Sequence, residues 1–227
     1  MCLEDDRIPG DYMRICELTN IRSLLAAFYN KPIDNLSTFE WQHATADYAR
    51  VLRCGVKGLL AEIDAARLAH AADEEKLDFL NSMQIVADTL VEWAHLCAAE
   101  AEELAATVSE PVYRANLKFL ASTLRRVPEQ PATTFYEAIL SIILLFGYAP
   151  DSLGTLDRTL RPYYESDLKA GRLTREGAKE MLQELYLTLQ ANTPISSCNF
   201  TCGGESHFCA GGYDERGEVQ SCSVMLT

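Results

Sequence analysis

Apolar positions recur every three or four residues along most of the chain, and that spacing predicts a succession of amphipathic helices. Within residues 48–68, Leu52, Val56, Leu59, Leu60 and Ile63 share one stripe. Leu77, Leu80, Met83, Val86, Leu90, Trp93, Cys97, Ala101 and Leu104 predict a longer helix buried along that line. Glu110-Pro111 opens a third helix carrying Val112, Tyr113, Leu117, Leu120 and Leu124. Pro111 suits its first turn, where a missing N–H has no intrahelical partner to lose. Arg125-Arg126-Val127-Pro128-Glu129-Gln130-Pro131 then breaks the pattern, since two close prolines cannot continue a helix. Thr134, with Glu137 three residues on, reads as a capping box before the most apolar helix.

Residues 150–154 read as a loop. A short helix follows with Leu156, Leu160, Tyr164 and Leu168, and Gly171 supplies its left-handed stop. Thr174 caps a last helix carrying Ala178, Met181, Leu182, Leu185 and Leu189. From about residue 192 glycine clusters and β-formers replace alanine and leucine, so strand and loop structure is expected there and not before. The run from Val219 to Thr227 ends without a cap, a glycine or a polar tail, which reads as an element cut off midway.

Charge changes the picture in one place. The 227 residues carry 20 Lys and Arg against 33 Asp and Glu, a net charge of −13, and residues 61–110 alone hold −10 of it. Those acids fall off the apolar stripe and read as the solvated face of a long helix, with a docked cation or partner as the alternative. A chain this acidic is not expected to bind nucleic acid or an anionic membrane surface. The longest apolar run, residues 138–146, is too short to span a bilayer. The acidic start, Met1-Cys2-Leu3-Glu4-Asp5-Asp6, lacks the basic and apolar regions of a signal peptide, so a cytoplasmic protein with mostly reduced cysteines is expected. The length allows one domain or two, burying about 70% of the unfolded surface.

Of eight cysteines, Cys2, Cys16, Cys54 and Cys97 are scattered, while Cys198, Cys202, Cys209 and Cys222 crowd the end together with His207. That crowd raises a metal site, but no CxxC knuckle is present and the spacing fits neither zinc nor an iron–sulfur cluster. Buried or incidental thiols are the expected reading, and no metal ligand is assigned. His43, His70 and His95 have no carboxylate or cysteine at a helpful spacing, so no catalytic dyad follows. Gly203-Gly204 and Gly211-Gly212 lack the flanking residues of a phosphate loop and read as tight turns.

A set of motifs in one order carries a resemblance. These are Asp47-Tyr48-x-x-Val51-Leu52-x-x-Gly55-x-x-Gly58-Leu59, then Arg126-Val127-Pro128-Glu129-x-Pro131-Ala132-x-x-Phe135-x-Glu137-Ala138. Leu153-Gly154-x-Leu156-Asp157 and Pro162-Tyr163-Tyr164-x-x-Asp167-Leu168-x-x-Gly171-x-Leu173-Thr174 follow, then Gly211-Gly212-Tyr213-Asp214-x-x-Gly217 leading into Ser223 and Leu226. Together they resemble the pyruvate formate-lyase-type glycyl radical enzymes from about Asp47 onward. The division implied is a weakly matched segment, 1–46, and a partial family domain, 47–227.

The resemblance implies an α/β fold: a mostly helical section of a ten-stranded barrel, comprising the outer shell and the first inner strand region. It implies an enzyme of anaerobic metabolism, a lyase or a transferase of the formate acetyltransferase kind. Such an enzyme cleaves a C–C, C–O or C–N bond of a small-molecule substrate. It implies no directly bound cofactor. A glycyl radical is installed by a partner activating enzyme that uses S-adenosylmethionine and an iron–sulfur cluster, and the family member is expected to be a homodimer. In that family a cysteine within Gly-Cys-Val-Glu carries a thiyl, and a glycine within Arg-Val-x-Gly-Tyr carries the stored radical. Neither motif occurs here, so no catalytic residue is assigned and the chain is expected not to be competent by itself. A thiyl must be held close to the glycyl radical and away from water, which an unfinished sheet does not provide.

Within the matched part, Thr155 stands where the family usually has Arg, Arg158 replaces a Gln, and Leu140 replaces another. Loss of that Arg argues against an anionic substrate. Asp151-Ser152-Leu153-Gly154 matches a segment that can contribute a substrate-contacting serine, so Ser152 is the one candidate binding residue. Two other readings stand beside this one: a non-catalytic helical interaction module from a decayed enzyme, and a small cysteine-rich metal-binding protein.

Overall fold

The computed structural model describes residues 45–148, 152–192, 207–213 and 216. Its elements are α1 (Tyr48–Ala69), α2 (Glu74–Thr107), α3 (Pro111–Leu124), α4 (Phe135–Tyr148), β1 (Ser152–Gly154), α5 (Leu156–Lys169), α6 (Arg175–Asn192) and β2 (His207–Phe208). Cys2, Cys16, His43, Cys198, Cys202, Gly203-Gly204, Cys222, Ser223 and Leu226 lie outside the described residues, as does the expected interrupted element at the end.

The Asp47 carboxylate caps α1 by accepting the Arg50 N–H at 3.1 Å. The expected single helix here is interrupted: Gly55 takes φ 67° and ψ 170°. The interruption frees backbone groups, and the segment after α3 satisfies them. The Val56 N–H donates to the Pro128 carbonyl at 2.9 Å and Lys57 N–H to Glu129 at 3.0 Å, while Leu52 accepts from Ala132 N–H at 2.9 Å. A Cβ on Gly55 would sit 2.6 Å from the Gln130 carbonyl carbon and 2.8 Å from the Pro131 nitrogen. Thus the Asp47–Leu59 and Arg126–Ala132 motifs, distant in sequence, are two halves of one main-chain contact.

The long helix is present, and its buried stripe keeps Leu80, Leu90 and Ala101 of the expected one but is completed by alanines instead of Met83, Val86 and Leu104. The face of α2 turned inward is Leu80, Ala87, Leu90, Ala94, Ala98, Ala101 and Ala105. Met83 and Val86 are 43% and 50% exposed, and Leu104 is 39% exposed. Small side chains let α3 lie close, with Ala101, Ala105, Leu117 and Ala121 forming a shared cluster. A stripe of large residues would hold the helices apart. Glu74, Glu75, Asp78, Asp88, Glu92, Glu100 and Glu103 are exposed, as a solvated face requires. Arg125, at the end of α3, clasps Glu102 of α2 with Nη2 and Oε2 2.9 Å apart.

Glu110 caps α3, its carboxylate accepting the N–H groups of Val112 and Tyr113, with Pro111 in the first turn. At α4 the Glu137 N–H donates to Thr134 Oγ1 at 3.2 Å. The return bond of the box lands one residue early, from Thr133 N–H to Glu137 Oε2 at 2.7 Å. Arg126 closes this corner with its own ion pair to Glu137, 2.7 Å. The core then gathers on α4, where Phe135, Ala138 and Ile142 are fully buried, against α5 and α6.

Helix α5 ends in a Schellman turn. Arg172 N–H donates to the Asp167 carbonyl and Gly171 N–H to Leu168, with Gly171 at φ 68°. The buried Asp167 side chain joins this end to the start of α4. It accepts Phe135 N–H at 2.8 Å on one oxygen and Arg172 Nε at 2.9 Å on the other. Thr174 caps α6 by accepting Gly177 N–H at 3.0 Å.

Strand structure begins earlier than the expected boundary near residue 192, because Ser152–Gly154 is a strand and not a loop. It pairs in parallel with β2, Ser152 opposite His207 and Gly154 opposite Phe208. Ser152 also bridges in parallel to Thr45. Three residues are too few to show alternation, and the pairing that defines them comes from distant chain.

Candidate functional site

The short strand β1 runs straight into α5, so its carboxyl end faces a helix N-terminus, the place where parallel α/β folds present ligands. Leu153 is buried and points into the core, while Ser152 and Gly154 are half-buried. The Ser152 hydroxyl accepts the Gly154 N–H at 3.1 Å, a local bond that fixes its rotamer against the strand. Thr155 occupies the N-cap of α5 without a side-chain bond and is exposed. Arg158 is exposed as well, and Leu140 is buried in the core of α4.

Asp157 stands in the Leu153–Asp157 motif, but sequence reasoning gave it no role. It lies in the first turn of α5, fully buried, and its Oδ2 accepts the Gly211 N–H at 2.8 Å. Two residues earlier Cys209 N–H donates to the Gly154 carbonyl at 2.7 Å. Gly211 and Gly212 have φ 78° and 105°, a backbone that favours glycine. So the Leu153–Asp157 motif and the Gly211-Gly212-Tyr213 motif meet at one corner. An acidic residue just after a strand and inside a helix start was the available signal; its partner, 54 residues on, was not. Phe208 of β2 stacks on Tyr186 of α6 with ring centres 5.5 Å apart, which seats the same segment on the helical layer.

Two concavities lie elsewhere. A cleft of about 740 Å³ between α1, α2 and residues 125–129 is lined by Lys57, Glu92, His95, Arg125 and Glu129. His95 Nε2 stands 3.4 Å from Glu129 Oε2 there. A groove of about 1050 Å³ between α4 and α6 is apolar, lined by Tyr136, Ile139, Ile143, Met181 and Tyr186. Burial pushes the Tyr136 hydroxyl above its ordinary range. Ser152 lines neither.

Three cysteines fall within the described residues. Cys209 is exposed, Cys54 directs its Sγ to the Arg50 carbonyl at 3.1 Å, and Cys97 is half-buried with its thiol pushed up by burial. None is fully buried, and the Cys54 Sγ, 3.4 Å from the Gly55 carbonyl oxygen, lies outside the family's cysteine motif, so none is assigned to the thiyl–glycyl pair and no radical step is derived through them. Among the described residues no group of three His, Cys, Asp or Glu side chains is placed to hold a metal ion. Nor is any described helix long and apolar enough to cross a membrane.

A helical layer backing parallel strand pieces, with a serine and a buried aspartate where strand meets helix, defines a section of an α/β fold. Comparison with known proteins narrows the class. Residues 27–224 match the family described as pyruvate formate lyase-like. Isethionate sulfite-lyase of Oleidesulfovibrio alaskensis is 32% identical over 164 residues, 66% of this chain and 19% of that protein. The probable dehydratase YbiW of Escherichia coli is 30% identical over 189 residues, 78% of this chain and 23% of that protein. A solved structure concerning 1,2-propanediol dehydration in Roseburia inulinivorans superposes with a TM-score of 0.70 at 28% identity, covering 81% of this chain and 25% of that one. A glycyl radical enzyme from Archaeoglobus fulgidus superposes with a TM-score of 0.75 at 19% identity, over 94% and 32%, which shows a shared fold. The chain belongs to the pyruvate formate lyase-like family of glycyl radical enzymes. It spans about a fifth of the length of the curated relatives it matches.

Proposed function

We propose that this chain is the helical shell and first strand region of a glycyl radical lyase that cleaves a C–O or C–S bond of a small hydroxylated metabolite. The relatives support the reaction class, being named a sulfite-lyase and dehydratases. The observation that carries the reading is the parallel pairing of Ser152–Gly154 with His207–Phe208 directly ahead of α5, the way a wall of parallel strands backed by helices begins. In this reading the wall is part of the ten-stranded barrel, and the radical is placed by an activating enzyme that uses S-adenosylmethionine and an iron–sulfur cluster. Ser152 contacts a substrate hydroxyl. Thr155, at the N-cap where the family usually has Arg, favours a neutral diol over an anion. Homodimer formation and a cytoplasmic location belong to the same proposal.

Because residues 1–227 hold neither radical motif, the test is anaerobic incubation of the whole product of the gene that encodes them, with a radical-activating enzyme and S-adenosylmethionine. A glycyl doublet by electron paramagnetic resonance, with turnover of 1,2-propanediol exceeding sulfite release from isethionate, supports the reading. A cooperatively folded protein with no radical and no turnover overturns it. That outcome would leave the interaction module, for which Phe79, Met83 and Val86 on one exposed face of α2 would be the surface.

A further inference from the structure

We infer that Asp157 is a positioning residue, setting where the Gly211-Gly212 turn lies relative to Ser152. Its substrate consequence rests on the role proposed for Ser152; the placement itself does not. The β1–β2 ladder is too short to fix its own register: it has two pairs, Ser152 with His207 and Gly154 with Phe208, with an irregularity between them. A slip of one residue in such a ladder costs little by itself and turns every side chain to the other face. What closes the ladder is the pair of bonds just beyond it, Cys209 N–H to Gly154 O at 2.7 Å and Gly211 N–H to Asp157 Oδ2 at 2.8 Å. The first is main chain to main chain and could re-form after a slip. The second cannot, because the acceptor is one side chain on the first turn of α5.

The charge of that side chain serves the same end. A carboxylate accepting a backbone N–H makes a stronger and shorter bond than a neutral acceptor. The α5 N-terminus favours a negative group at this point, where Thr155 provides no side-chain cap and Asp157 is the acid of the first turn. The second oxygen, Oδ1, is buried without a hydrogen-bond partner among the described residues, a costly arrangement for a residue with no task. Gly211 and Gly212, at φ 78° and 105°, give the segment that Asp157 holds a backbone that only glycine adopts readily.

Amide hydrogen exchange, resolved by residue on the full 227-residue chain, tests this. In Asp157→Ala the Cys209 and Gly211 amides should exchange about tenfold or more faster, as loss of a charge-assisted bond implies. The Val108 and Arg114 amides in the α2–α3 region should keep their rates. Asp157→Asn retains an acceptor and should restore protection at Cys209 and Gly211 to within about threefold of the parent. Should Asp157→Ala unfold the whole chain, rescue by Asp157→Asn still supports the inference. Unchanged Cys209 and Gly211 amides in Asp157→Ala, or loss of protection in Asp157→Asn equal to that in Ala, would overturn it. Either result is independent of whether Ser152 meets a substrate, which the turnover assay decides separately.

Discussion

Gly55 tolerates no side chain for two separate reasons: its φ of 67° and the backbone of residues 129–131 packed where a Cβ would point. Gly55→Ala should therefore cost at least about 2 kcal/mol, read as a lowered denaturant midpoint with an unchanged slope. The cysteines give a second prediction. Burial holds the Cys97 thiol above its ordinary range while Cys209 is exposed, so at pH 8 iodoacetamide should label native Cys209 well before Cys97. Mass spectrometry of the timed digest reads the order, and denaturant should abolish it. At this scale the sequence shows what is local. The Thr134–Glu137 box and the Gly171 stop are both read within a few residues and both present. Asp157 and Asp167 were hidden because each completes its work across 54 and 32 residues, to Gly211 and Phe135. Ser152 came from resemblance alone; nothing about an isolated serine marks it.

Helix periodicity gave the elements and part of the inner face of α2, namely Leu80, Leu90 and Ala101, but missed the alanines that complete it. Counting large apolar residues favours Met83, Val86 and Leu104, whereas the close neighbour α3 selects the alanines. Ala101 is buried in that seam, so Ala101→Leu should cost about 1–3 kcal/mol by overpacking, although leucine is an excellent helix former. Thermal melts that show no loss would mean the seam is looser than described. The Glu102–Arg125 clasp is the charged counterpart. The Arg125 guanidinium holds the exposed Glu102 carboxyl below its usual range. A lowered folded-state value means the contact stabilises above the ordinary carboxylate range and is lost as pH falls through the lowered one. Carbon-detected titration of Glu102 should show that lowered midpoint, and Arg125→Gln should move it back up. Strand β1 was illegible at this level, being three residues long and defined by partners at Thr45 and His207.

Across the whole chain the net charge is concentrated in one stretch, with residues 61–110 contributing −10 of the −13. Exposed like charges along α1 and α2 repel, so moderate sodium chloride should raise the melting temperature by a few degrees, roughly what relief of about 1 kcal/mol implies. A melt that falls with salt would mean that the ion pairs at Glu102 and Glu137 outweigh the repulsion. The family motifs were legible because they span the chain in order, and the fold explains why they do: each pair of distant pieces is a docking contact. Their chemistry was not legible, since the contacts run mostly through main-chain atoms. The join between α1 and the segment after α3 illustrates the result. Its three bonds use carbonyls and N–H groups of Leu52, Val56, Lys57, Pro128, Glu129 and Ala132. A saturation library across it should yield an uneven map, with Lys57, Glu129 and Gln130 accepting many replacements and Gly55 nearly none. Lineages can thus rewrite most of this surface and still inherit the joint, so long as one hydrogen atom stays where a side chain would be.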